Sequence, residues 1–323
     1  MERLDAFMAR ANAAYYAAQD PFADFTTAPE ISQVFGELLG LWAAVIWQAM
    51  GSPDPVILAE AGPGRGTLMA DALRAIGQMA PGFRAALRLH LVETSPRLRA
   101  EQATRLPGAV WHEAVEALPP GPLILLANEF LDALPIRQFV RRGAGWTERH
   151  VQDGAFVELP AAAPGLDAGE GEVVERGDAA RALAASLGAR VAETGGAVLL
   201  LDYGPAESAA GDSLQALRER KPVDPLVAPG TADLTAHVDF QAVAEAARAA
   251  GAAVYGPLPQ GLFLARLGLF QRTGILARTQ PPVRAAALLD AARRLAEPDQ
   301  MGRLFKALAL CHPGLPPPPG FDA

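Results

Sequence analysis

Between Val56 and Ile76 an apolar run, Val56-Ile57-Leu58-Ala59, ends in an acid, Glu60, passes through Gly62-Pro63-Gly64-Arg65-Gly66, and becomes the amphipathic stretch Thr67 to Ile76. The short apolar run reads as a buried strand and the following 3.6-residue period as a helix, so the unit is strand, ligand loop, helix. Glycines are needed where a backbone turns tightly and approaches a ligand, because a Cβ would fill the ligand's space. Glu60 falls at the carboxyl end of its strand, the edge at which open α/β sheets hold ligands. Such a unit is suited to a nucleotide-like cofactor.

The spacing narrows the cofactor. A dinucleotide fingerprint places its third glycine one residue later than Gly62-x-Gly64-x-Gly66 does, which favours S-adenosylmethionine over NAD. A P-loop is excluded because no Gly-Lys-Ser/Thr follows, and the only lysines are Lys221 and Lys306. A second stretch, Leu87 to Val92, alternates toward an apolar end and stops at Glu93, a carboxylate placed to accept both ribose hydroxyls. Gly62, Gly64, Gly66, Thr67, Glu60 and Glu93 are therefore the expected cofactor residues.

Composition limits the alternatives. With 323 residues and 50% hydrophobic content the chain can bury a large core as one elaborated domain. A net charge of -8 argues against a sequence-independent grip on nucleic acid. The single cysteine, Cys311, forms neither an internal disulfide nor a cysteine metal cluster, and no His/carboxylate spacing suggests a metal. The first residues carry acids and lack an apolar signal core, and the most apolar run, Leu38 to Trp47, is too short for a membrane span; a bacterial cytoplasm is the expected location.

The other segments fill in an alternating pattern. Residues 1–20 read as a weakly patterned helix broken by Pro21, and a second helix is expected to start at Pro29 and run through Phe35, with Thr27 and Glu30 either capping it or facing the cofactor. Trp111 reads as either core or an adenine border. The run Leu123 to Ala127 reads as a strand covered on both faces, ending in Asn128, Glu129 and, shortly after, Asp132. Residues 136–159 suggest a β-meander carrying Arg137, Arg141, Arg142 and Arg149. A helix over about 178–193 precedes the buried run Val198 to Leu201, which ends in Asp202 and Tyr203; residues 205–235 look inserted, and Asp239 caps a helix close to His237. A loop is expected over 256–261, a final strand near 304–310, and a mobile proline-rich tail after His312.

Five ordered motifs, Asp24-Phe25-Thr26-Thr27-Ala28-Pro29-Glu30 through Glu37, Glu60 to Thr67, Asn128 to Pro135, Leu201 to Gly204, and Asp233 to Asp239, together resemble the MidA family. One departure is Ala23, where family members commonly have glycine before the Asp-Phe pair. The resemblance implies a class I methyltransferase fold: a Rossmann-like, seven-stranded, mostly parallel sheet with an N-terminal helical lid over residues 1–50. It also implies S-adenosylmethionine as cofactor and protein-arginine methylation of a respiratory complex I subunit as the activity. Glu129 and Asp132, with Asn128, are then the expected catalytic acids and amide. Thr27, Pro29, Glu30, Phe35, Asp202, Tyr203 and His237 are the expected lid or substrate positions. The competing readings are methylation of a small molecule or another side chain, and a non-catalytic assembly platform holding the cofactor.

Overall fold

A computed structural model describes residues 1–19, 22 and 26–322. The expected break at Pro21, and Ala23, Asp24 and Phe25, lie outside the described residues. The central sheet contains β1 (Val56–Ala61), β2 (Leu87–Val92), β3 (Val110–His112), β4 (Leu123–Asn128), β5 (Gly196–Tyr203), β6 (Ala253–Pro259) and β7 (Phe305–Cys311). Its order is β6-β7-β5-β4-β1-β2-β3, and β7 alone runs against its neighbours, so the sheet is seven-stranded and mostly parallel as expected.

Burial on both faces explains the unbroken apolar runs. In β1, Val56 and Leu58 face one apolar layer while Ile57, Ala59 and Ala61 face the other, the period-two alternation of a strand. The first layer is closed by α2 (Gln33–Ala49) and α3 (Thr67–Met79) through Phe35, Leu39, Trp42, Leu68, Met69 and Ile76. The second is closed by α5 (Asp178–Thr194) and α6 (Phe240–Ala249) through Leu187, Val191, Phe240 and Val243. Each large side chain buried this way contributes about 1.5–3 kcal/mol. Between β2 and β3 lies α4 (Pro96–Arg105), capped by Ser95, whose Oγ accepts from the Leu98 N–H.

Two smaller sheets are attached. Glu2–Arg3, Arg137–Arg142, Gly145–Gln152, Ala155–Ala161 and Val173–Arg176 form an antiparallel five-stranded sheet, and its arginines pair internally as Arg137–Glu148, Arg142–Glu158 and, to a neighbouring loop, Arg149–Asp212. Gln215–Arg218, Lys221–Val223 and Asp233–Thr235 make a three-stranded sheet. The N-terminal helix α1 (Leu4–Ala18) bridges both through Leu4, Phe7, Met8 and Ala11, which pack with Ile136, Val151, Ala216 and Leu234.

The structure differs from the sequence reading at four places. The helix expected from Pro29 is two: a single turn, Ala28–Ile31, then α2, separated by Ser32 in extended conformation, whose Oγ accepts from the Val34 N–H and restarts the helix. The expected loop 256–261 is the end of β6, bulged between Tyr255 and Leu258, running directly into the helix Gln260–Arg266. A further helix, Leu269–Ala277, was not expected because its short apolar stretch has no distinctive start signal. The proline-rich tail folds back, with Phe321 packed on Phe263 at a ring-centroid distance of 5.1 Å. Among the described residues no helix is long and apolar enough to cross a membrane.

Helix α2 lies tightly on α3 because its facing positions are glycine. A Cβ on Gly40 would sit 2.7 Å from the Ala72 Cα, and one on Gly36 2.7 Å from the Leu68 carbonyl oxygen. Backbone cannot yield as a side-chain tip can, so Gly40→Val is expected to destabilise the fold by about 1–3 kcal/mol through overpacking. A denaturant midpoint unchanged from the wild type would contradict this close helix contact.

Candidate active site

The carboxyl ends of β1, β2 and β4 open on a cavity of about 610 Å³. The strand register sets which residues meet there. β4 pairs with β1 from Ile57/Leu123 to Ala61/Ala127, and with β5 up to Leu201/Asn128, so the tips of all three strands end at one edge.

Gly62, Gly64 and Gly66 adopt φ values of 65°, 52° and 76°, the left-handed region that glycine enters without Cβ strain. A Cβ on Gly62 would come 2.8 Å from the Phe130 ring, and one on Gly64 2.7 Å from Phe22, so the loop also keeps its neighbours close. Gly62 and Gly64 line the cavity; Gly66 is set back, at the N-cap of α3. Thr67 donates to Glu30 Oε1 at 2.5 Å and accepts from Arg105 at 2.8 Å. Glu30 thus ties the Ala28–Ile31 turn to the glycine loop. Thr27, at the N-cap position of that turn, makes no side-chain cap bond. Both border the cavity, as does Pro29.

Glu93 stands at the tip of β2. Its Oε1 accepts from the Ser95 N–H at 2.8 Å and its Oε2 from Gln102 Nε2 at 3.3 Å, which aims the carboxylate into the cavity. Burial raises its pKa, and these hydrogen bonds oppose the rise. Gln102 is fully buried and also donates to the Gly64 carbonyl at 2.6 Å and accepts from Trp111 Nε1 at 2.8 Å. Trp111 therefore braces the loop from behind and does not line the cavity, so its place is core support, not an adenine border.

Glu60 is 3% exposed, and its Oε2 has no hydrogen-bond partner among the described residues. Burial, then the charge of Glu93, pushes its pKa up to about 8. Asn128 Oδ1 is also buried with no partner among the described residues. An unpaired buried polar atom costs about 1–3 kcal/mol, and both atoms belong to cavity-lining residues. The orphaned Glu60 oxygen beside a glycine cradle and a ribose-type carboxylate fits a polar, nucleoside-containing cofactor.

Glu129 follows β4 in left-handed conformation, φ 50°. Its Oε1 accepts from the Ala28 N–H and from Asn128 Nδ2, both at 2.9 Å. Burial lifts its pKa to about 6 against these two bonds. Asn128 and Glu129 line the cavity together, whereas Asp132 lies behind its wall. The turn after Glu129 points the Asp132 carboxylate toward the Tyr203 hydroxyl, and burial with the nearby Glu129 charge raises its pKa.

Of the remaining expected positions, Phe35 is core. Asp202 and Tyr203 stand behind the Glu129 turn. His237 borders a separate pocket of about 30 Å³ and meets Tyr203 edge-on at 5.5 Å. None of these four lines the main cavity: Phe35 is turned into the apolar layer under α2, and Asp202 and Tyr203 sit where β5 ends beneath the turn that follows β4. The cavity also uses residues that sequence reasoning missed, Asn12 and Tyr16 from α1 and Glu113 and Glu116 after β3. Asn12 donates to the carbonyls of Ala133 and Leu234 at 3.0 and 2.8 Å, and Tyr16 donates to Asp233 at 2.8 Å. The available signal was a polar residue, Asn12, on the stripe Leu4, Met8, Ala11, Tyr15 that α1 buries.

Residues 38–258 match the family model of S-adenosyl-L-methionine-dependent methyltransferases. The chain belongs to this family. Its relatives include the mitochondrial protein arginine methyltransferase NDUFAF7 of Homo sapiens, 35% identical over 92% of this chain and 76% of the relative. The Drosophila melanogaster homologue is 34% identical over 92% and 78%. A COG1565 superfamily crystal structure from Burkholderia thailandensis, bound to S-adenosyl-homocysteine, superposes with a TM-score of 0.81 at 29% identity, covering 99% of this chain and 88% of that one. The protein is thus a methyltransferase of the class I fold with S-adenosylmethionine as its cofactor.

Because the folded pKa of Glu60 lies above its ordinary 4.5, the cofactor-free protein is favoured by this group below pH 4.5 and loses that stability as pH rises through about 8. Glu60→Gln, which mimics the protonated acid, is expected to flatten that decline in denaturant titrations between pH 5 and 8.5 while weakening S-adenosyl-homocysteine binding about tenfold or more in calorimetry. Parallel stability curves for the two proteins would reject the placement of Glu60 as a buried, unpaired acid.

Proposed function

We propose that the methyl acceptor is a protein arginine and that Glu129 and Asn128 hold it. The supporting observation is the Glu129 carboxylate, fixed by Ala28 and Asn128 at the cavity wall beside an unpartnered amide oxygen. Besides Glu60, which burial holds protonated up to about pH 8, the wall carries Glu30, Glu93, Glu113, Glu116 and Glu129, with Arg65 as its one cation among the described lining residues, a field that favours cationic ligands.

A guanidinium has a pKa above ~12 and enters as a cation with its hydrogen-bond donors in one plane. With Oε1 already accepting from Ala28 and Asn128, the Glu129 carboxylate receives one of them at Oε2, which orients the plane and selects the nitrogen presented for attack. Asn128 Oδ1 is free to take a further N–H. Both acceptors draw positive charge away from that nitrogen, and the proton it loses as the nitrogen–methyl bond forms passes to the Glu129 carboxylate. When bound, S-adenosylmethionine supplies an electrophilic methyl carbon. Asp132, expected to share this task, is left out because it does not face the cavity.

The relatives are protein arginine methyltransferases by name, which supports an arginine acceptor. A respiratory complex I subunit is the acceptor we infer from the MidA resemblance, and a bacterial cytoplasmic setting from the alanine- and arginine-rich composition with one buried cysteine.

The test is transfer of labelled methyl groups from S-adenosylmethionine to proteins of a lysate, read by peptide mass spectrometry. Methylarginine on a complex I subunit is expected. Label in small metabolites, or cofactor binding without transfer, would replace this reading by the competing ones. Glu129→Gln should reduce transfer about 100-fold or more at unchanged S-adenosyl-homocysteine affinity. Since Glu129 must be ionised to hold a cation, wild-type transfer should fall as pH drops through about 6; a rate flat from pH 8 to 5 would remove Glu129 from this role.

A further inference from the structure

The left-handed backbone at Glu129 is unfavourable for a residue with a Cβ and persists only where its surroundings hold it. On one side the Glu129 N–H donates to the Leu201 carbonyl at 2.8 Å, continuing the ladder of β4 with β5. On the other side the next N–H groups, of Phe130, Leu131 and Asp132, converge on a single atom, Asp202 Oδ2, at 3.0, 2.8 and 3.2 Å. The second oxygen, Oδ1, accepts from the Tyr203 N–H at 2.9 Å. Asp202 is 1% exposed and does not reach the cavity. Tyr203 adds a further tie, its hydroxyl meeting the Asp132 carboxylate and the Thr235 hydroxyl. The end of β5 therefore grips the turn before and after Glu129.

We propose that Asp202, backed by Tyr203, is a positioning residue for methyl transfer, gathering the Phe130, Leu131 and Asp132 N–H groups so that Glu129 stays left-handed with its carboxylate toward the acceptor. This rests on the reading of Glu129 as the acceptor-holding acid. One carboxyl oxygen that gathers three backbone N–H groups is a strong anchor by geometry alone; burial and the neighbouring Asp132 charge push the Asp202 pKa up, and the backbone N–H donors oppose that rise. Its geometry sets the direction of the Cα–Cβ bond of Glu129 without touching substrate or cofactor. Asn in place of Asp202 keeps the size but brings one amide group where an acceptor stood, so the turn is expected to relax and Glu129 to leave its burial between Ala28 and Asn128.

The experiment compares full-length wild type and Asp202→Asn, both cofactor-free, by NMR titration of the Glu129 side-chain carboxyl. Its pKa in the variant should move from the raised wild-type value toward the ordinary 4.5 as the group gains solvent. S-adenosyl-homocysteine affinity should stay within about twofold. Transfer to the lysate acceptors should fall about tenfold in the wild-type background and less than twofold in the Glu129→Gln background, because a misplaced acid matters only while the acid is present. A folded variant whose Glu129 titrates as in wild type, or one whose rate loss is equal in both backgrounds, would overturn the proposal. If Asp202→Asn does not accumulate folded, Tyr203→Phe carries the same titration, with a smaller shift in the same direction expected and no shift counting against the brace. Failure of the underlying reading is separately visible: Glu129→Gln would transfer at the wild-type rate even where Asp202→Asn moves the Glu129 titration.

Discussion

The parallel ladder of β1, β4 and β5 carries the site. Parallel strands all finish at one edge, so Glu60, Asn128 and Asp202 are brought together although 142 positions separate the first from the last. At that edge the ladder stops, and backbone N–H groups just beyond it need other acceptors. Acids meet this need. Glu93 takes the Ser95 N–H, and Asp202 takes those of Phe130, Leu131 and Asp132. Of the strand-tip carboxylates, Asp202 thus terminates the sheet, Glu60 faces the cavity, and Glu93 does both.

Burial raises the pKa of both Asp202 and Glu60, and hydrogen bonding separates them. Asp202 is surrounded by donors, whereas Glu60 keeps an oxygen with no partner among the described residues and lies near the like charge of Glu93. Burying a carboxylate without a partner is unfavourable, and the protein's response is to hold Glu60 protonated up to about pH 8. A site that stores this cost gains from any ligand that supplies donors or positive charge. The cofactor of the family carries both, in its ribose hydroxyls and its sulfonium.

The cavity is closed by parts of the chain far from the glycine loop. Helix α1 is held to the segment after Glu129 by Asn12, which bonds Ala133, and to the three-stranded sheet by Asn12 to Leu234 and Tyr16 to Asp233. The Ala28–Ile31 turn is fastened at both ends, by its Ala28 N–H to Glu129 and by Glu30 to Thr67. The cover and the chemistry are therefore coupled: the same N–H that anchors the turn also holds the Glu129 carboxylate.

Much was legible locally. The three glycines, the acids ending β1 and β2, and the unbroken apolar run of β4 each have a short-range cause, in backbone freedom or in burial on two faces. They sufficed for the seven-stranded sheet, the cofactor, and the cavity positions of Glu60, Gly62, Gly64, Thr67, Glu93, Asn128 and Glu129. What the sequence could not separate was facing the cavity from backing it. Asp132 and Asp202 read as site acids like Glu129, because all three follow apolar strands. Only the register of β5 against β4, and the left-handed turn at Glu129, turn one carboxylate outward and the others inward. Those are long-range facts, set by hydrogen bonds between segments 70 or more residues apart, and no local pattern of side chains encodes them.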